Sequence, residues 1–178
     1  VLDCMPADGG LYVPYSEHDL RAWILHMNDR TSFSAIAGSL TAALLKEEIS
    51  PVISERIAVK AFQTYSPRLR QFDDRLFLLE LFHGPTGNHR DFGFLWLASA
   101  LEHLLTIDEK RAVVIAPSTG PGGRSMAAAF GDKKRLKLVI LYPKGCAKGL
   151  KPEHLFENGG SVYPVEIDGD TAAIENII

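Results

Sequence analysis

Apolar residues recur at helical spacing through the first third of the chain. From residue 76 onward they gather into short runs separated by longer mixed segments. The first part therefore predicts helices. Ser16 is placed to cap a helix running through Asp19 and Leu20 to Met27, with Glu17 and Asp19 near the positive end of its dipole. An apolar, alanine-rich stretch predicts a second helix over 34–46. Ser50-Pro51 is a cap and first-turn pair for a third, with Ile53, Ile57 and Ala61 on one face. Tyr65-Ser66-Pro67 ends that helix, and the polar stretch to Arg75 marks a domain boundary. The expected division is a mainly helical region over 1–75 and an α/β domain over 76–178.

The second part alternates. Short apolar runs at 76–82, 112–116, 136–142 and 162–167 predict strands. Helices are expected between them at about 92–105, from 125, from Lys151-Pro152-Glu153 to Gly159-Gly160, and from Thr171. Apolar strands separated by helices predict parallel βαβ units: an α/β fold with an open, mostly parallel, twisted sheet flanked by helices. Ligands in such sheets sit beyond the carboxyl ends of the strands. Two loops fall there, 83–91 and 117–124.

Composition narrows the function classes without choosing among them. Of 178 residues, 46% are apolar and 23% charged, ordinary for a globular protein, and the net charge of −3 gives no reason to expect nucleic acid or an anionic membrane as partner. No apolar run reaches the roughly 20 residues of a membrane span. The two cysteines, Cys4 and Cys146, lie far apart and suggest no disulfide framework, so a reducing, cytoplasmic setting is the simpler expectation. No targeting peptide is visible. The six histidines are scattered, which predicts no metal site, and no GxSxG elbow surrounds Ser118.

The first loop is His83-Gly84-Pro85-Thr86-Gly87-Asn88-His89-Arg90-Asp91. Read plainly, it is a strand-to-helix turn with Asp91 capping a helix at Phe92. Arg90 then stands beside a helix N-terminus, where a guanidinium and a helix dipole both favour an anion. The second loop, Ala116-Pro117-Ser118-Thr119-Gly120-Pro121-Gly122-Gly123-Arg124-Ser125, is either a tight turn or an anion cradle of backbone amides, with Arg124 adding charge. Gly120 and Gly122 also fit the start of a dinucleotide fingerprint, but Ser125 stands where its third glycine belongs. The next strand runs into Tyr142-Pro143-Lys144 instead of an acidic residue.

Literal motifs point further. Pro6-Ala7-Asp8-Gly9-Gly10-Leu11-Tyr12-Val13-Pro14, the run Glu80-Leu81-Phe82-His83-Gly84-Pro85-Thr86 with Asp91-Phe92-Gly93, the strand Val139-Ile140-Leu141-Tyr142-Pro143-Lys144-Gly145 and the acidic turn Asp168-Gly169-Asp170 occur in one order. In that order they resemble the N-terminal part of threonine synthases, a family of type II pyridoxal phosphate (PLP) enzymes, over nearly the whole chain. The resemblance implies the tryptophan synthase β-like fold and a chain cut at both ends. It also implies PLP as cofactor and conversion of O-phosphohomoserine and water into threonine and phosphate. The expected partner is thus a small amino-acid phosphate; oligomeric state is not implied.

By the same resemblance the substrate-binding set is His83, Thr86, Ser118, Thr119, Gly120, Gly122 and Gly123. Two departures stand out. The family's cofactor lysine falls at Arg90, and the second loop lacks the family's acidic residue. A lysine amine can be deprotonated and attack the cofactor, whereas an arginine guanidinium stays charged. The expectation is therefore either a threonine synthase-like enzyme or an impaired relative binding an anionic amino acid or phosphate in the inherited cleft, with covalent attachment of PLP in doubt.

Overall fold

The computed structural model of the chain describes residues 6–13, 19–146 and 160–177. The described residues divide into two compact units, Val1–Gln63 and Thr64–Ile178.

The first unit is helical, with α1 Arg21–Leu25, α2 Phe33–Leu44 and α3 Pro51–Phe62. The helix expected to run to Met27 is only five residues long. Asp19 precedes it and accepts a hydrogen bond from the Arg21 amide at 3.0 Å, while Ser16 lies outside the described residues. Ser32 caps α2, its hydroxyl accepting from Ala35 N at 3.2 Å. Pro51 opens α3 in the first turn as expected, although Ser50 makes no side-chain cap bond. The two longer helices pack closely. A Cβ on Gly38 would come within 2.9 Å of Glu55 Cα, so glycine at 38 permits the approach. Ile57, Ala58, Ala61 and Phe62 are buried, and the Phe33 and Phe62 rings meet edge to face at 4.8 Å.

The second unit is α/β. β1 (Arg68–Gln71) and β2 (Phe77–Glu80) form an antiparallel hairpin; the expected boundary at 75 falls in its turn. This corrects two expectations. The polar stretch before Arg75 contains a strand, and the apolar run at 76–82 is not the first strand of the parallel sheet. Pairing with β1 satisfies its backbone on one edge only, and Phe77, Leu78 and Leu79 remain exposed.

The parallel sheet consists of β3 (Ala112–Pro117), β4 (Leu136–Pro143) and β5 (Val162–Ile167), with β4 central. The helix expected between β4 and β5 lies outside the described residues. α4 (Arg90–Ile107) and α5 (Pro121–Phe130) pack on one another. Ala98 and Leu105 of α4, Met126, Ala127 and Phe130 of α5, and Leu136, Leu138, Ile140 and Val162 of the sheet form one buried cluster. Fully burying each large side chain there stabilises by about 1.5–3 kcal/mol. Alternate residues of the edge strands face away from it, and Val113, Ile115, Tyr163 and Val165 are exposed. A last short helix, α6 (Thr171–Glu175), is capped by Asp170, which accepts from Ala173 N at 2.9 Å.

One buried carboxylate ties this unit together from behind. Glu102 of α4 accepts from the Lys134 and Arg135 amides, at 3.1 and 3.0 Å, fixing the turn that leads into β4. No helix among the described residues is long and apolar enough to cross a membrane.

Candidate functional site

Both helices flanking the sheet begin earlier than the sequence suggests, and that places the site. α4 starts at Arg90 instead of Phe92, so Asp91 is inside the first turn and not a cap. Its side chain folds back and is fully buried. One oxygen accepts from Thr86 N at 2.9 Å and Asn88 N at 3.3 Å; the other accepts from Thr86 Oγ1 at 2.6 Å. Burial pushes its pKa up. Hydrogen bonds from Ser125, Thr86 and the Thr86 and Asn88 amides outweigh that and hold it below the usual carboxylate range. Gly84 lies directly against this carboxylate, and a Cβ there would come within 2.5 Å of Oδ2.

α5 likewise starts at Pro121, so Gly122 and Gly123, expected in the loop, are helical. Ser118 Oγ accepts from Gly120 N at 3.3 Å and from Gly123 N at 2.7 Å, drawing the helix start back toward β3. Gly120 has φ +155 and ψ −100, a backbone that L side chains rarely adopt. The Cys146 thiol donates to Thr119 O at 3.0 Å from the turn after β4, while Cys4 lies outside the described residues.

The two loops meet. Thr86 Oγ1 and Ser125 Oγ are 3.0 Å apart, and Arg90 Cδ lies 3.9 Å from where a Gly122 Cβ would stand. Arg90 is exposed, its stem beside the start of α5, and its amide donates to Asn88 Oδ1 at 3.0 Å. An open pocket of about 400 Å³ adjoins it, lined by Leu81, Phe82 and the run 86–90.

His83 is reached from the other side. Its Nε2 lies 2.7 Å from Glu80 Oε2, and Arg70 of β1 donates to Glu80 Oε1 at 3.3 Å. The His83 bond, helped by Arg70, holds the Glu80 carboxyl below the usual range against the opposing effect of burial.

The structure thus gathers Arg90, Thr86 and the 118–123 loop at the adjoining starts of α4 and α5. His83 stands one step behind, through Phe82. Thr86 and Ser118 spend hydrogen bonds on the scaffold: Thr86 on Asp91, Ser118 on the α5 amides. Sequence reasoning missed Asp91 as the organising carboxylate, together with Ser125 and Glu80. The one available signal was an acidic residue closing an apolar run at 80 with a histidine three positions on.

Lysine chemistry is missing where the resemblance expects it. No lysine lines the pocket, and Lys144 at the end of β4 pairs with Asp168 at 3.2 Å on the surface. The residues at this site do not fit covalent attachment of PLP through position 90. Among the described residues no group of three or more His, Cys, Asp or Glu could hold a metal.

The chain is similar in sequence and in fold to known proteins. The threonine synthase of Escherichia coli K12 is 31% identical over 172 residues, covering 95% of this chain and 39% of that protein. That of Serratia marcescens is 30% identical over 146 residues, covering 82% of the chain and 33% of the relative. Among solved structures, the PLP-bound threonine synthase of Brucella melitensis superposes with a TM-score of 0.84 at 26% identity, covering 99% of this chain and 39% of that one. The Escherichia coli threonine synthase structure gives 0.75 at 29% identity, covering 98% and 40%. The chain spans about two fifths of the length of these structures. No protein-family model matches it.

Proposed function

We propose, from the premise that this chain is a threonine synthase homologue over most of its length and shares that fold, that its cleft binds an anionic amino acid phosphate without a covalent cofactor link at residue 90. The observation that carries the reading is Arg90 itself. Its stem lies beside Gly122, where α4 and α5 both begin, so a permanent positive charge stands by the positive ends of two helix dipoles. Such a site suits a phosphate or carboxylate, which takes charge-assisted hydrogen bonds from guanidinium and amide alike.

The same substitution limits the chemistry. A guanidinium does not give up a proton at neutral pH, so Arg90 can hold an anion but cannot shuttle protons. Loss of a positioned general base alone lowers a rate by about 10²–10⁴-fold. The buried Asp91 is no substitute, because all its described contacts are donors that keep it ionised and it faces the loop backbone.

A second reading, the family's full reaction with PLP, is favoured by the fold match to a PLP-bound relative. One experiment separates the two. The full-length protein is treated with PLP, reduced with borohydride and digested; unfolding is followed with phosphate, phosphoserine or O-phosphohomoserine added. We expect no cofactor on the peptide containing residue 90, and stabilisation by the anions of about 2.7 kcal/mol at a hundred times Kd. Arg90→Lys should place reducible cofactor on that peptide. If none of the three anions stabilises the protein, the anion-cleft reading is wrong.

A further inference from the structure

The hairpin β1–β2 sits outside the parallel sheet, yet it sends one charged contact toward the pocket. Glu80, the last residue of β2, is only 7% exposed in a strand whose other residues are exposed. Its two oxygens serve two different elements. Oε1 takes Arg70 from β1, and Oε2 takes Nε2 of His83 from the loop that follows. Arg68 is the residue directly opposite Glu80 in the hairpin register, and Arg70 is the β1 cation that pairs with the carboxylate. An ionised carboxylate at 2.7 Å accepts and cannot donate, so the hydrogen of that bond belongs to Nε2 and the His83 ring is held in one orientation. The ring lies 4.7 Å from the Phe82 ring, centroid to centroid, at 38°. Phe82 is a wall of the pocket beside Arg90.

We propose that Arg70, Glu80 and His83 are positioning residues: the hairpin carboxylate orients His83, and the His83 ring sets the Phe82 wall of the anion pocket. The inference rests on the anion-cleft reading above and gives His83 a different task from direct substrate contact. The pocket loop then has two independent anchors, Glu80 upstream through His83 and Asp91 downstream through Thr86 and Asn88. Only the upstream one depends on the hairpin.

The relay is tested in the full-length protein with ¹⁵N-labelled histidine and inorganic phosphate as probe. His83, assigned by His83→Gln, should show a hydrogen on Nε2 that exchanges slowly. Glu80→Gln should speed that exchange and shift the Phe82 ring signals. Phosphate affinity should fall about tenfold in Glu80→Ala and less in Glu80→Gln. Glu102→Gln, which removes charge from another buried carboxylate, should leave it unchanged. A His83 without hydrogen on Nε2, or equal phosphate affinity in wild type and Glu80→Ala, overturns the relay. If the wild type binds no phosphate, the cleft reading fails and the Phe82 ring signals decide the relay alone: moved by Glu80→Gln they support it, unmoved they overturn it.

Discussion

Replacing Asp91 should do more damage than replacing any exposed residue of the site. The carboxylate is fully buried and receives the Thr86 amide, the Thr86 hydroxyl and the Asn88 amide. Alanine there strands the two amides, while the Thr86 hydroxyl keeps Ser125 Oγ at 3.0 Å as a partner. At a cost of at least about 1 kcal/mol per unpaired donor, Asp91→Ala should lower stability by about 2 kcal/mol or more. That is a large share of the 5–15 kcal/mol typical of a folded protein. Asparagine keeps the volume and one acceptor oxygen and should cost roughly half as much. Asp91 is held below the usual carboxylate range in the folded state, so its stabilisation is complete above the unfolded-state pKa. It fades as pH falls through the folded-state value. The gap between wild type and Asp91→Asn should therefore be widest near neutrality and close in acid. Urea unfolding followed by tryptophan fluorescence, with Trp96 on α4 as reporter, measures both. A loss under about 0.5 kcal/mol for Asp91→Ala at pH 7, the range of ordinary surface changes, would refute the argument.

Other substitutions test the same geometry. Gly84→Ala pushes a methyl against the Asp91 carboxylate and should cost about 1–3 kcal/mol by the same unfolding assay. Glu102→Ala leaves the Lys134 and Arg135 amides without their acceptor. It should cost about 2 kcal/mol and speed hydrogen exchange at both. Gly38→Ala drives a methyl into the Glu55 backbone and should loosen α2 from α3, seen as a lower midpoint for the helical unit.

Much of the fold was legible in local pattern. Each apolar run at 112–116, 136–142 and 162–167 became a parallel strand within a residue of its expected ends, because strands that bury one face must be apolar there whatever surrounds them. The run at 76–82 looked the same and behaved differently. Composition shows that a strand can form but not which partner takes its edge, and the chain gave β2 to the hairpin. Helix starts were misplaced for a related reason. Side chains of Ser118 and Asp91 reach across several residues to bond backbone amides, and such bonds leave no period in the sequence.

From its residues alone the chain declared its likeness to threonine synthases and the fixed charge at residue 90: the order of short motifs is covalent information, and an arginine carries its charge in any fold. Three-dimensional packing alone decided which groups act together. Asp91, Thr86 and Ser125 meet because α4 and α5 pack side by side, and Glu80 reaches His83 because the hairpin buries its carboxylate. A buried carboxylate needs its donors at hydrogen-bond distance, and those distances exist only once the helices have packed.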